Sequence, residues 1–80
     1  MDFKILAKLV GYGSHIVEPY LVEIFNNHGI TNKSEIECDI YVMRYMDLIS
    51  RTAYYGYRIN HENIKKFLNS SGKYNYPITS

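Results

Sequence analysis

Apolar side chains recur at helical spacing in four stretches of the chain, each bounded by residues that start or stop helices. In the first stretch, the apolar positions lie three and four residues apart, and Asp2 is placed to cap the helix. Gly11 and Gly13 follow, and two glycines in three residues favour a turn over a helix. The pattern predicts a first helix from about Asp2 to Val10.

The second apolar stretch predicts a helix whose start depends on Pro19. Proline fits the first turn of a helix but bends a helix interior, because it lacks a backbone donor. A start near Glu18 is therefore favoured over a longer, bent helix that begins at Ser14. Gly29 can adopt the left-handed conformation that ends a helix, so we expect the helix to stop there.

The third stretch is the longest, and it opens with Ser34 and Glu37 at the spacing of a capping box. We expect a helix over 35–53, in which apolar residues cover more than half of the circumference. A helix of this kind has neighbours on two sides, so it is predicted to be the central helix. Its apolar surface, including Met43 and Met46, is also a candidate face for a homo-oligomer.

A fourth helix is predicted from about His61 to Asn69, with Asn60 as its N-cap. No stretch shows the sustained alternation of apolar and polar residues that a strand would have. The pattern therefore predicts an all-α fold, a small bundle of three to four helices. It forms one helical domain over 1–72, followed by a loose tail over 73–80.

Composition narrows the chemistry that this chain can perform. The single cysteine, Cys38, excludes an intrachain disulfide and a cysteine-based metal cage, and its position within the third helix suggests a buried structural thiol. His15, His28 and His61 have no other ligand type at metal-binding spacing. We expect no metal, no cofactor and no catalytic residue, and hence not an enzyme.

The chain contains no apolar run approaching the roughly 18 residues of a membrane-spanning helix. With a lone cysteine and no secretory pattern, the expected compartment is the cytoplasm. Ile, Asn, Lys and Tyr, which have A/T-rich codons, are frequent, and this favours a phage or mobile-element origin. The net charge of +1 makes nucleic acid a less favoured partner than another protein.

Bases and tyrosines alternate in the last third of the chain. Tyrosine and arginine are the residues that most often anchor protein interfaces, although tyrosines here could also simply close the bundle with their hydroxyls in water. The predicted partner-binding residues are Tyr54, Tyr55, Tyr57, Arg58, Lys65 and Lys66. The predicted function is that of a small non-enzymatic regulator, inhibitor or adaptor that binds and occludes a partner protein.

An alternative function comes from the segment over 21–40, which contains a helix, a turn with glycine and a capped second helix. This arrangement resembles the start of helix-turn-helix and winged-helix DNA-binding proteins. The resemblance implies a DNA-binding transcriptional regulator. Glu35, Glu37 and Asp39 at the start of the second helix disfavour contacts with phosphates, so DNA binding is the alternative and protein binding the first hypothesis.

Overall fold

The computed structural model describes residues 2–78 and shows an α+β fold, so the prediction of an all-α bundle is wrong. Helices and strands follow one another in the order α1 (Phe3–Val10), β1 (His15–Val17), α2 (Glu18–Asn27), α3 (Lys33–Tyr45), β2 (Ile49–Arg51), β3 (Gly56–Ile59) and α4 (His61–Ser70). The strands form one antiparallel sheet in the order β1-β3-β2. Each strand has only three or four residues, which is too short to show a period of two in the sequence.

Three of the predicted helices are confirmed, and the local signals of α1 and α2 act as expected. The side chain of Asp2 accepts a hydrogen bond of 2.8 Å from the backbone N–H of Lys4, which caps α1. Pro19 lies in the first turn of α2, which begins at Glu18. Gly29 follows α2 with a φ of 84°, a conformation that glycine adopts without strain.

The predicted central helix over 35–53 is wrong at both ends, because α3 stops at Tyr45. The N-cap is Asn32 instead of Ser34, and its side chain accepts a 3.0 Å hydrogen bond from the backbone N–H of Glu35. After α3 the chain turns and continues as β2. Leu48 and Ile49 are buried in this turn and strand, so apolar residues that suggested one long helix belong to two different elements.

The central strand β3 joins the two edge strands and brings distant parts of the chain together. Ile16 of β1 lies opposite Tyr57, and Arg51 of β2 lies opposite the same residue on the other side. Gly56 passes so close to β1 that an added Cβ would lie 2.8 Å from the carbonyl oxygen of Ile16. Only glycine allows this close approach without a shift of the backbone.

The core lies between the helices and one face of the sheet. Leu6 and Leu9 of α1 and Ile64 and Leu68 of α4 have no measurable exposure. Apolar residues from α2, α3 and the three strands complete the same cluster. The predicted cap of α4 is corrected in detail: Asn60 occupies the N-cap position, but its side chain makes no capping hydrogen bond.

The segment over 73–78 has no helix or strand but contacts α4. The Asn69 side chain accepts from the backbone N–H of Tyr76 at 2.8 Å and donates to its carbonyl oxygen at 2.9 Å. The rings of Tyr74 and Tyr76 stack 5.8 Å apart. The last two residues of the predicted tail lie outside the described residues. Within 2–78, no helix is both long enough and apolar enough to cross a membrane.

Candidate functional site

A groove between the C-terminal half of α3 and strand β2 brings two arginines and two tyrosines together. Tyr41, Arg44 and Tyr45 come from α3, and Ser50 and Arg51 come from β2. The groove has a volume of about 350 Å³, and we call it the α3–hairpin groove. Its lining combines guanidinium groups, hydroxyls and aromatic rings, which are groups that bind phosphates and stack on planar ligands.

The turn between α3 and β2 sets the geometry of this groove. Asp47 lies in the turn with a φ of 61°, which reverses the chain so that β2 runs beside the helix it has just left. The carbonyl oxygen of Asp47 accepts hydrogen bonds of 2.8 Å from the side chains of both Asn60 and Asn63. Since these asparagines belong to the start of α4, the turn is anchored to another element, and the groove is held in place.

Both arginines of the α3–hairpin groove are available to an anion. The Arg51 guanidinium carbon lies 5.8 Å from the centroid of the Tyr57 ring, and Arg51 Nη1 donates a long hydrogen bond of 3.4 Å to the Tyr57 hydroxyl. The guanidinium of Arg44 makes no hydrogen bond or ion pair with any residue of 2–78, although its carbonyl oxygen accepts a 3.0 Å hydrogen bond from the backbone N–H of Asp47. No acidic side chain lines the groove, so it combines two cations without a neutralising carboxylate.

The outward side of α3 is uncharged. Successive helix residues are about 100° apart, so four exposed side chains fall opposite the buried Ile36 and Ile40. These four side chains are Ser34, Cys38, Tyr41 and Tyr45. The prediction that Cys38 is a buried structural thiol is wrong, since its side chain is exposed. The sequence placed it on the packed side because the helix was assigned apolar neighbours on two sides.

The acidic residues of α3 lie beside this outward line. Glu37 faces α2, where it lines a separate groove of about 310 Å³ together with Lys33 and Glu18. Glu35 is in the first turn of α3, where its charge complements the positive end of the helix dipole. Asp39 is half-buried, so none of the three carboxylates that made nucleic-acid binding the second hypothesis is on the most outward line of the helix.

The loop that joins β2 to β3, over 52–55, forms a hairpin tip with two exposed rings. Tyr54 is 86% exposed and Tyr55 is 79% exposed. The Tyr55 carbonyl oxygen accepts a 3.0 Å hydrogen bond from the backbone N–H of Glu18, and the Thr52 N–H donates to the Gly56 carbonyl at 2.9 Å. The hairpin tip is thus fixed to the start of α2 on one side and closed within the hairpin on the other.

The six predicted partner-binding residues do not form one surface. Tyr57 is 2% exposed and belongs to the core, although Tyr54 and Tyr55 lie at the hairpin tip. Arg58 points to the opposite face of the sheet and lines a polar groove of about 430 Å³ near the start of α4. Lys66 is exposed and Lys65 half-buried, and both lie on α4, which follows β3 in the chain.

Sequence reasoning considered Arg44 for contacts with DNA but missed Tyr41 and Tyr45, the two tyrosines of α3 that line the groove beside it. Arg44 and Tyr45 lie three and four positions after Tyr41, so both are next to Tyr41 on the helix surface. That spacing was visible, but the predicted helix continued to residue 53, which placed this side in the middle of a packed bundle. Only the end of α3 at Tyr45 leaves these side chains beside a strand and open to solvent.

A second candidate surface is a depression on the outward face of the sheet. Gly56 is one of the residues that line this depression, which has a volume of about 280 Å³. We call it the aromatic depression, and its lining includes Tyr12, Val17, Tyr20, Thr52 and Tyr54. Tyr12, Val17 and Tyr20 are each about half exposed, so apolar surface remains in contact with water.

Within the part of the chain that the structure describes, no group of three or more His, Cys, Asp or Glu side chains is arranged to hold a metal ion. Comparison with protein-family models, with curated proteins and with solved structures finds no match for this chain. Any assignment of function therefore depends on the geometry of the grooves and of the hairpin tip.

Proposed function

We propose that this chain is a DNA-binding regulator that places α3 in the major groove of a duplex, with the β2–β3 hairpin beside it. The order of the elements is the observation that carries this proposal. Helices α2 and α3 are joined by a short turn over 28–32 and are followed by a two-stranded hairpin, in a sheet of order β1-β3-β2. Winged-helix DNA-binding domains have this order, and the second helix of a helix-turn-helix contacts bases.

The dimensions and the outward face of α3 support the proposal. A helix of 13 residues is about 20 Å long, and the major groove is about 12 Å wide, which admits one helix. Ser34, Tyr41 and Tyr45 present hydroxyl groups that can donate to and accept from base edges and phosphates. The uncharged line between them allows close approach to the bases.

Two arginines lie at the C-terminal end of this face, and Lys33 lies near its start, on the side of α3 that faces α2. Lys33 is at the start of α3 and exposed, Arg44 is in its last turn, and Arg51 lies across the α3–hairpin groove. If each contacts one phosphate, the logarithm of the binding constant should fall with the logarithm of salt concentration with a slope of about −3. The nearby Glu35 and Glu37 partly offset this attraction to phosphates.

Fluorescence anisotropy of a labelled duplex with a randomised central sequence tests this proposal. Replacing the two groove arginines, Arg44→Glu with Arg51→Glu, should lower the affinity at least about tenfold and flatten the salt dependence, because two phosphate contacts are lost. Lys66→Glu is the matched control, since it changes one exposed charge on α4 and should have a smaller effect. Absence of duplex binding at low salt, or equal losses in both variants, would contradict DNA binding by α3.

Capture of a partner protein is a second candidate, favoured by the aromatic depression. Tyrosine is enriched in protein interfaces, and no Lys, Arg, Asp or Glu lines this surface. Occlusion of a protein would then involve Tyr12 and Tyr20, with no need for Arg58 or Lys66. A Tyr12→Ser, Tyr20→Ser variant that keeps duplex affinity but no longer retains a host protein would support this function.

A further inference from the structure

The hairpin tip presents two adjacent aromatic rings that are mostly exposed and add little to the core. Tyr54 and Tyr55 are more than three-quarters exposed. Tyr55 also has a φ of 54°, a conformation that is unusual for a bulky side chain. Backbone strain of this kind is found where a functional side chain must be held in one position. A tip selected for stability alone would have glycine or asparagine at this position.

The tip is also held rigidly. Its backbone is bonded to the start of α2 through Glu18 and within the hairpin through Thr52. On the other side of the tip, Gly56 pairs with Val17 of β1, and an added Cβ at Gly56 would lie 2.8 Å from the Ile16 carbonyl oxygen. A ligand that stacks on the two rings would therefore meet a surface that is already ordered, which reduces the entropy cost of binding.

The loop has aromatic rings but no charge, and the charges lie at its base. No Lys, Arg, Asp or Glu occurs over 52–55. Arg51 is the last residue of β2 and lies at the base of the loop that carries Tyr54, three residues later in the chain. A short run of nucleotides could therefore have a phosphate on Arg51 and a base on the tip. Every base has a flat face that stacks on an aromatic ring, whatever its sequence.

The α3–hairpin groove also combines exposed aromatic rings with cations. Tyr41 and Tyr45 are 66% and 83% exposed, and Arg44 lies between them in sequence. Cations that follow a phosphate backbone, interleaved with rings that stack on bases, are typical of surfaces that bind single strands. The interior bases of a blunt duplex are stacked on one another and offer their faces to these rings only if the duplex is kinked.

We infer that the nucleic acid bound by this chain carries unpaired bases next to a duplex, with the unpaired bases stacked on Tyr54 and Tyr55 and their phosphates along the α3–hairpin groove. This inference rests on the proposed DNA binding by α3. It names the partner more closely, as a junction between duplex and single strand.

Three probes that share one duplex sequence test the inference: the blunt duplex, the same duplex with a single-stranded tail, and the tail strand alone. The tailed duplex should bind about tenfold more tightly than the blunt duplex, because stacking adds to the duplex contacts. The Tyr54→Ala, Tyr55→Ala variant should lose this difference and keep its affinity for the blunt duplex. The Tyr54→Phe, Tyr55→Phe variant keeps both rings and should behave as the original chain.

Crosslinking shows where the unpaired bases lie. With 5-iodouracil in the tail, irradiation should attach the tail to Tyr54 or Tyr55, as located by mass spectrometry. The Tyr12→Ala, Tyr20→Ala variant, which removes rings from the aromatic depression, should not reduce this crosslink. Since both tip residues are exposed, circular dichroism of the alanine variant should match that of the original chain.

The possible failures can be told apart. Equal affinity for tailed and blunt duplexes, or a difference that survives the loss of both tip rings, would overturn the inference and leave duplex binding by α3 intact. A tip variant that loses only a protein partner would overturn it too, and would assign the tip to protein binding. If neither the blunt nor the tailed duplex binds, the proposed function and the inference both fail.

Discussion

The α1–α4 half and the α3–hairpin half of this molecule use aromatic and apolar side chains in opposite ways. In the first half, Phe3 and Phe67 meet edge to face with their centroids 5.5 Å apart, and the leucines beside them are buried. In the second half, the rings of Tyr41 and Tyr45 on α3 point into solvent, as do both rings of the hairpin tip. The guanidinium of the arginine between the two α3 tyrosines, Arg44, has no partner within residues 2–78.

The difference separates the residues that hold the fold from those that we propose to act. A chain of 80 residues buries little surface, and its stability depends on the few side chains that are fully enclosed. Exposed rings and an unpaired guanidinium contribute little to that stability. Substitutions in the α1–α4 half should therefore change the free energy of unfolding, and substitutions of exposed residues in the α3–hairpin half should mainly change binding.

The largest effect is expected in the first half, at Leu68. The Leu68 side chain is fully buried in α4, so Leu68→Ala should leave a cavity and lower the free energy of unfolding by about 2–5 kcal/mol. Urea denaturation followed by circular dichroism measures this change. Lys66→Ala, two positions earlier and exposed, is the control and should stay within about 0.5 kcal/mol. Similar values for both variants would contradict a core between α1 and α4.

A smaller effect is expected where the hairpin meets β1. In Gly56→Ala the new Cβ would lie 2.8 Å from the Ile16 carbonyl oxygen, so the strands must move apart, at a cost of about 1–3 kcal/mol. Hydrogen exchange should be faster at the amides of β1 and β3. Gly11→Ala is the matched control, because its nearest neighbour would be 3.8 Å away and its φ is −90°. If Gly56→Ala left the free energy of unfolding unchanged, the strands β1 and β3 would be less closely packed than described.

The smallest effect should have the opposite sign. Asparagine tolerates the left-handed conformation better than tyrosine, so Tyr55→Asn should raise the free energy of unfolding by about 0.5 kcal/mol. The same variant should bind a tailed duplex more weakly, since one ring is lost. Thermal denaturation and anisotropy on the same preparation measure both changes. A variant that is less stable, or that binds as well as the original chain, would show that Tyr55 is not kept for binding.

Much of the helical framework could be predicted from the sequence, but the candidate site could not. The starts and ends of α1, α2 and α4 depend on residues within or next to each helix, such as Asp2, Pro19 and Gly29. The end of α3 has no such local signal, because Leu48 and Ile49 continue its apolar pattern into the turn and β2. All residues of the α3–hairpin groove therefore fell within one predicted helix, so no groove was predicted there. Of these residues, only Arg51 belongs to the stretch of alternating bases and tyrosines from which the partner-binding residues were predicted.

The sequence by itself determined three helices and a break in the helical pattern at the adjacent Tyr54 and Tyr55. The tertiary structure decided that there is a sheet, that Tyr57 is buried while Tyr54 and Tyr55 are exposed, and that Arg44 lies across a groove from Arg51. The physical reason is the distance along the chain between the residues that share each backbone hydrogen bond. A helix satisfies its backbone groups within a few residues, whereas the three residues of β1 are a strand only because β3, some forty positions later, pairs with them.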